Sequence, residues 1–317
     1  MGTFFIKHIT KYTYNNPVID GANLIRLHPI NDAYQKVNSH YLVITNNAYV
    51  QTYIDFYQNT VGTFMLTEPV KELYIESNIE VTTIERIFPE DTIDAATQWQ
   101  ELNALKYSEN LFDFLINKPF SGTPDFLKFI ESNNIKQKTP YKAVLELCEF
   151  IYSNITYKKG VTKVDTSLDE VWQLKAGVCQ DFTNIMLQIT RMCGIPARYV
   201  SGYICPNDDM TRGEGATHAW IEAYIPFYGW LGIDPTNNAI ANQNHVRLAV
   251  GRNYEDCAPV KGVFKGQVDA ELFVKVEVST TKTENTTTEI IETPITKTVF
   301  NSYQRNLERI QQQQQQQ

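Results

Sequence analysis

No run in the chain approaches the roughly 20 apolar residues that a membrane-spanning helix requires. The opening Met1 to Tyr12 holds too short an apolar run for a signal peptide, and Ile6 stands where a Ser or Thr would have to follow Gly2 for myristoylation. These absences set the expectation of a cytoplasmic protein with no membrane partner. Clustered Lys and Arg are missing as well: 28 basic residues against 36 acidic ones leave a formal charge of −8. Phosphate neutralisation needs a concentrated basic surface, so nucleic acid is not an expected partner. Cysteine is sparse and odd in number, at 148, 179, 193, 205 and 257, with no Cys-x-x-Cys pair. That fits neither a disulfide framework nor a zinc ribbon. The acidic stretch with Asp208, Asp209 and Glu214 lacks the ligand spacing of a calcium-binding loop and reads as solvated, so no metal and no cofactor are expected.

What remains is 317 residues, 43% of them hydrophobic, enough for two compact domains with their own cores. Residues 1–90 repeat short runs of β-branched and aromatic residues, at 40–44, 49–57 and 72–87. Turn signals at Asn15-Asn16-Pro17, His28-Pro29, Asn46-Asn47 and Glu68-Pro69 separate them, the rhythm of an N-terminal β domain. Residues 91–139 change to helical spacing, with Leu111, Phe112 and Leu115, then Phe126, Phe129 and Ile130, and read as a helical connector. A second domain is expected over 140–278, helices first. Ala143, Leu147, Phe150 and Ile151 mark one helix, and Asp165-Thr166-Ser167 opens another through Val171, Trp172 and Leu174. A third follows Gly177, its buried stripe formed by Phe182, Ile185, Met186, Ile189 and Met192 and its stop by Gly194-Ile195-Pro196. The period then shifts to two at 197–205, 218–225, 229–234, 246–251 and 271–278, which makes the domain α+β with an antiparallel sheet. Residues 279–317, Thr-rich and ending in seven glutamines, lack a hydrophobic period and are expected to be disordered or a frayed helix.

By position alone Cys179 reads first as a small buried side chain. It also opens the third helix, where free amide groups and the helix dipole favour a negative charge, and Gly177 permits close backbone approach ahead of it. Cys148 and Cys193 fall on buried helix faces, Cys205 ends a strand and Cys257 has no nearby His, so these read as structural. His218 begins a strand and Asp234 ends the next, joined by the short turn Pro226-Phe227-Tyr228. In a hairpin centred near Pro226 the two share parity and point to one face, so His and carboxylate can meet. Asp234, ahead of Pro235-Thr236, also reads as a turn residue capping its own backbone. Nucleophile, base and orienting carboxylate together make a set for thiol acyl chemistry, provided the helix bearing Cys179 packs across that face.

GVCQDF (177–182), THAWIEAYIP (217–226) and GWLGIDPTNN (229–238) resemble, in order, spacing and flanks, the three blocks of the transglutaminase-like superfamily. The likeness is to its microbial branch of cysteine-protease-like members. It extends to AVGRNYEDCAPVKGVFKG (249–266) and, near the start, to YTYNNPV (12–18), LIRLHP (24–29) and DFYQNTVGTF (55–64). Thr183-Asn184, Asn253 and Cys257 depart from the branch's pattern without touching the three blocks' key residues. The resemblance implies a papain-like transglutaminase core, helices packed on an antiparallel sheet, preceded by a β-sandwich-like domain. It assigns Cys179, His218 and Asp234 as nucleophile, base and orienter. The expected function is thiol-dependent hydrolysis or acyl transfer at amide bonds of a peptide or protein substrate, as a cysteine peptidase or amidase. Protein cross-linking by a transglutaminase and a non-catalytic peptide-binding module are the alternatives. The oxyanion would fall to the Cys179 amide plus one more donor, with Tyr157 and Trp172 as candidates that serve equally well as core. Residues 205–217 read as a mobile rim of the cleft.

Overall fold

The structure is a computed structural model that describes residues 1–205, 212, 217–265 and 268–281, and the backbone of 287–293. The chain divides into two compact units, one formed by residues 83–257 with Met1 and Gly2, the other by 3–82 and 258–317.

The strand-rich unit is organised on β1 (Gly2–Ile25), with β2 (Gln35–Ile44), β3 (Gln51–Ile54), β4 (Thr60–Leu66) and β5 (Val70–Thr83). Residues 5–14 of β1 pair antiparallel with a late strand, and residues 19–25 run between β4 and another late strand. Along the first half the even positions Phe4, Ile6, His8 and Thr10 are buried; after the register shift near Ile19 the odd positions Gly21, Asn23 and Ile25 take over. Asp20, at φ 51°, absorbs the extra residue, as a β-bulge does when it exchanges the faces of a strand. The turn expected at Asn15-Asn16-Pro17 is therefore not a turn. Pro17 sits between the two paired stretches, where its missing N–H costs no ladder bond.

The second unit carries the helices α1 (Ala95–Leu105), α2 (Thr123–Ser132), α3 (Pro140–Asn154), α4 (Leu168–Leu174) and α5 (Cys179–Met192). Two-residue strands β6 (Thr156–Tyr157) and β7 (Ala176–Gly177) pair in parallel just ahead of α5. Then come β8 (Ala197–Ile204), β9 (Thr217–Ile225), β10 (Gly229–Asp234), β11 (Ala239–Ile240) and β12 (His245–Gly251), a sheet in the order β11-β10-β9-β8-β12 whose neighbours all run antiparallel. The short α6 (Tyr254–Cys257) closes the unit. The starts of α3 and α4 follow local signals: Thr139 caps α3 ahead of Pro140, and Ser167 and Glu170 form a reciprocal capping box on α4. Gly194, at φ 72°, ends α5. α5 is buried almost all round rather than along one stripe, because α3 and the sheet enclose it and Arg191 is buried with its guanidinium on the carbonyls of Ile116, Ala197 and Arg252.

Two expectations of domain organisation are corrected. The segment 91–139 is not a connector: Leu102, Phe120, Phe126 and Ile135 belong to the same core cluster as α3 and α5. The second domain does not run to 278, because β13 (Val260–Lys265) and β14 (Ala270–Ser279) pair with β1. The tail expected to lack structure contributes β15 (Thr287–Thr293), antiparallel to β14; the residues beyond it lie outside the described ones. Among the described residues no helix is long and apolar enough to cross a membrane.

Candidate active site

Gly177 is where the site begins. A Cβ on it would lie 2.4 Å from the Asp181 carboxylate, so only glycine lets Asp181 fold back over the chain and accept the Val178 N–H at 2.8 Å and the Thr162 hydroxyl at 2.6 Å. This ties down the first turn of α5, and burial pushes the Asp181 carboxyl up from its usual range. Cys179 is the first residue of the helix, where the opening amides have no intrahelical acceptor. It is half-buried, whereas Cys148, Cys193, Cys205 and Cys257 are buried. Burial pushes the Cys193 thiol up to about 11 and those of Cys148 and Cys205 higher still, which makes them poor nucleophiles.

The β9–β10 hairpin pairs Gly229 with Ile225 and Ile233 with Ile221, so the turn is centred on Phe227, at φ 65°, and not on Pro226. Asp234 thereby lies beside Trp220, two positions from the expected alignment with His218. An even offset keeps both side chains on one face, and His218 Nε2 meets Asp234 Oδ2 at 2.8 Å with both side chains fully buried. The other carboxylate oxygen accepts the Thr236 N–H at 2.9 Å, so the turn-capping role of Asp234 holds as well. Asn237 donates its amide to Oδ2 at 2.8 Å, and its side-chain oxygen accepts the backbone N–H of Arg212 at 2.8 Å. Apart from Arg212, the interior of the expected rim, with Asp208, Asp209 and Glu214, lies outside the described residues.

α5 does not cross the face that carries His218 and Asp234. Ala219, Ile221, Ala223 and Ile225, the alternate positions of β9, pack with α5 in the core. Cys179 opens α5 and His218 lies at the start of β9, and Cys179 acts on the titration of His218. Burial alone would lower the His218 pKa; the Asp234 carboxylate, its hydrogen bond and then Cys179 overcome this and push it up to about 10. Burial likewise opposes the ionised Asp234, but the His218 charge and the hydrogen bonds from His218 and His245 hold the carboxyl well below its usual range. With Asp234 ionised, Nε2 of His218 is the donor, and the buried Nδ1, which has no hydrogen-bond partner among the described residues, is the nitrogen left for the thiol.

Trp172 is withdrawn as a candidate oxyanion donor. Its indole N–H is given to Asp125 at 3.2 Å, and its ring packs against Phe120 and Phe126. Tyr157 stays next to the site through the pairing of β6 with Gly177. His245 was missed: its Nε2 lies 3.3 Å from the same Asp234 oxygen, and its ring stands edge-on to Trp220 at 5.1 Å. In the sequence His245, like His218, stands only as a histidine at the start of a strand, with no sign of a shared oxygen.

Two family models match the sequence, the transglutaminase-like superfamily over residues 131–235 and the bacterial transglutaminase-like N-terminal region over residues 4–82. An uncharacterised protein of Mycobacterium leprae is 33% identical over 278 residues, covering 86% of this chain and 97% of its own. A protein-glutamine gamma-glutamyltransferase of Pseudomonas aeruginosa is 27% identical over 155 residues, 46% of this chain and 21% of that enzyme. A crystal structure of a proposed cysteine protease from Cytophaga hutchinsonii has the same fold, at a TM-score of 0.69 and 21% identity over 92% of this chain and 98% of that one.

Proposed function

The chain belongs to the transglutaminase-like superfamily, and from that we propose that it is a thiol enzyme in which Cys179, His218 and Asp234 serve as nucleophile, base and orienter at amide bonds. The observation that carries the reading is a half-buried cysteine, first in its helix, that acts on the titration of a buried histidine whose Nε2 is held by a buried carboxylate. In this mechanism the Cys179 thiolate attacks the carbonyl carbon of a carboxamide or peptide. The amide N–H groups at the start of α5 face the developing oxyanion, with Tyr157 as the proposed second contributor. Collapse of the tetrahedral species breaks the C–N bond as His218 passes its proton to the departing amine, leaving a thioester on Cys179. Water then gives its proton to His218 and its hydroxyl to the acyl carbon, releasing the acid and restoring the thiolate. Asp234 keeps the ring in place throughout.

Hydrolysis is the reading put first, a peptidase or amidase working on peptide or protein substrates. Transfer to a primary amine, the cross-linking outcome, uses the same thioester, and the similarity to the Pseudomonas glutamyltransferase favours keeping it as the second reading. The reaction is placed in the cytosol on the sequence expectation; fractionation of cells expressing the tagged chain checks this. The deciding experiment incubates the protein with casein, with and without a fluorescent primary amine, and follows label incorporation alongside release of ammonia and peptides. Release without incorporation supports hydrolysis, and incorporation supports transfer. If neither occurs and iodoacetamide labels Cys179 no faster than the four buried cysteines, the chain is a binding module instead.

A further inference from the structure

Two histidines converge on one carboxylate oxygen, and only one of them has a place in the proposed mechanism. His218 Nε2 reaches Asp234 Oδ2 at 2.8 Å and His245 Nε2 reaches the same atom at 3.3 Å. The ionised Asp234 oxygen facing Nε2 of His245 can only accept, which calls for a ring proton on Nε2. The backbone N–H of Asn242 points at Nδ1 from 3.2 Å, the donor that a neutral ring with an accepting Nδ1 needs. Asn242 Oδ1, also 3.2 Å from Nδ1, accepts the Asn244 N–H at 2.9 Å. A protonated His245 would set an Nδ1–H against the Asn242 N–H and leave Asn242 Oδ1 as its acceptor.

We propose that His245 is a positioning residue for the candidate centre, a neutral imidazole that donates Nε2–H to Asp234 and so holds the carboxylate that orients His218. The proposal rests on the reading of His218 as the base. Oδ2 then receives three donors, His218, His245 and the Asn237 amide, while Oδ1 receives Thr236 N–H. A carboxylate gripped at both oxygens cannot turn away from His218. The surroundings favour the neutral ring: burial lowers the His245 pKa, and the charges of His218 and Arg86 act in the same direction against the pull of Asp234. From α3, the Cys148 thiol reaches the Asp234 carbonyl at 3.6 Å, and from α5, Cys179 acts on His218. The effect of His245 on the thiol should pass through Asp234 and His218.

The test combines wild-type protein with His245→Leu and His245→Gln. Long-range ¹⁵N–¹H correlation spectra of the wild type should show His245 neutral with its proton on Nε2 at pH 7. The pH profile for alkylation of Cys179 by iodoacetamide, which needs no amide substrate, should move its His218-dependent limb down by about one pH unit in His245→Leu, a tenfold change in that equilibrium. With an amide substrate kcat should fall by about tenfold while KM stays within twofold, a change of about 1.4 kcal/mol in the barrier alone. His245→Gln, whose amide can donate to Asp234, should recover most of both. A doubly protonated His245, an Nδ1–H tautomer, or a folded His245→Leu with the wild-type profile overturns the proposal. If His245→Leu does not fold, the wild-type spectra decide. If wild-type Cys179 proves inert towards iodoacetamide, the enzymatic reading falls, and the His245 tautomer still decides whether the carboxylate is shared.

Discussion

Replacing Asp234 with Asn should cost several kcal/mol of stability, and the cost should depend on pH in a defined direction. Asn keeps the shape but not the charge. If its oxygen faces His218, His245 and Asn237, its NH₂ faces the Thr236 N–H; if it is turned over, NH₂ opposes the three donors. The magnitude follows by two routes. Removing one partner of a buried ion pair costs about 3–5 kcal/mol. The rise of the His218 pKa from 6.5 to about 10, at about 1.36 kcal/mol per tenfold, corresponds to roughly 5 kcal/mol, of which Cys179 supplies a share that survives the substitution. A loss of about 3–5 kcal/mol near pH 6 is therefore expected. The His218 contribution is complete below the unfolded value of 6.5 and is lost as pH rises towards the folded one, so the gap between wild type and variant should narrow to about 1–2 kcal/mol by pH 9. Asp234, held below its usual range, contributes above the unfolded carboxylate pKa and loses that share as pH falls below about 4. Urea unfolding of both proteins at pH 6 and pH 9, followed by tryptophan fluorescence, measures this. A difference under 1 kcal/mol at pH 6, or one that grows with pH, would refute the account of the pair.

Gly177→Ala places a methyl group 2.4 Å from the Asp181 carboxylate. It should displace the first turn of α5, slow alkylation of Cys179 at least tenfold and cost about 1–3 kcal/mol by thermal unfolding. Trp172→Phe removes the indole donor to Asp125 while keeping the aromatic packing, so a loss of about 0.5–1.5 kcal/mol with kcat within twofold is expected; a hundredfold fall in kcat would return Trp172 to the oxyanion site. Glu222 is buried among Arg198, Arg247 and Arg86. Burial opposes its charge, but the three guanidinium groups hold its carboxyl down to about 2. Its stabilisation is present above the usual carboxylate pKa and lost as pH falls towards 2, so Glu222→Gln should destabilise by about 3–5 kcal/mol at pH 7 and by much less at pH 3, read from denaturant midpoints.

How much of this was legible in the sequence follows the range of the forces involved. Helix starts are set within four residues, so Ser167 with Glu170, Thr139 with Pro140, and Gly177 ahead of Cys179 could all be read directly. The meeting of His218 and Asp234 survived a misplaced turn centre because side-chain parity in a hairpin is unchanged by an even slip. Which cysteine stays accessible, and that α5 packs against the face opposite His218, depend on what surrounds each segment after folding. The sequence carried no local sign that residues 260–279 pair with β1 rather than with the sheet they follow, because strand pairing is decided by partners hundreds of residues away. Nor could spacing show that His245 shares the oxygen that holds His218: β12 lies at the far side of β8 from β9, and only the twisted sheet with its buried Trp220 brings the two rings to one carboxylate.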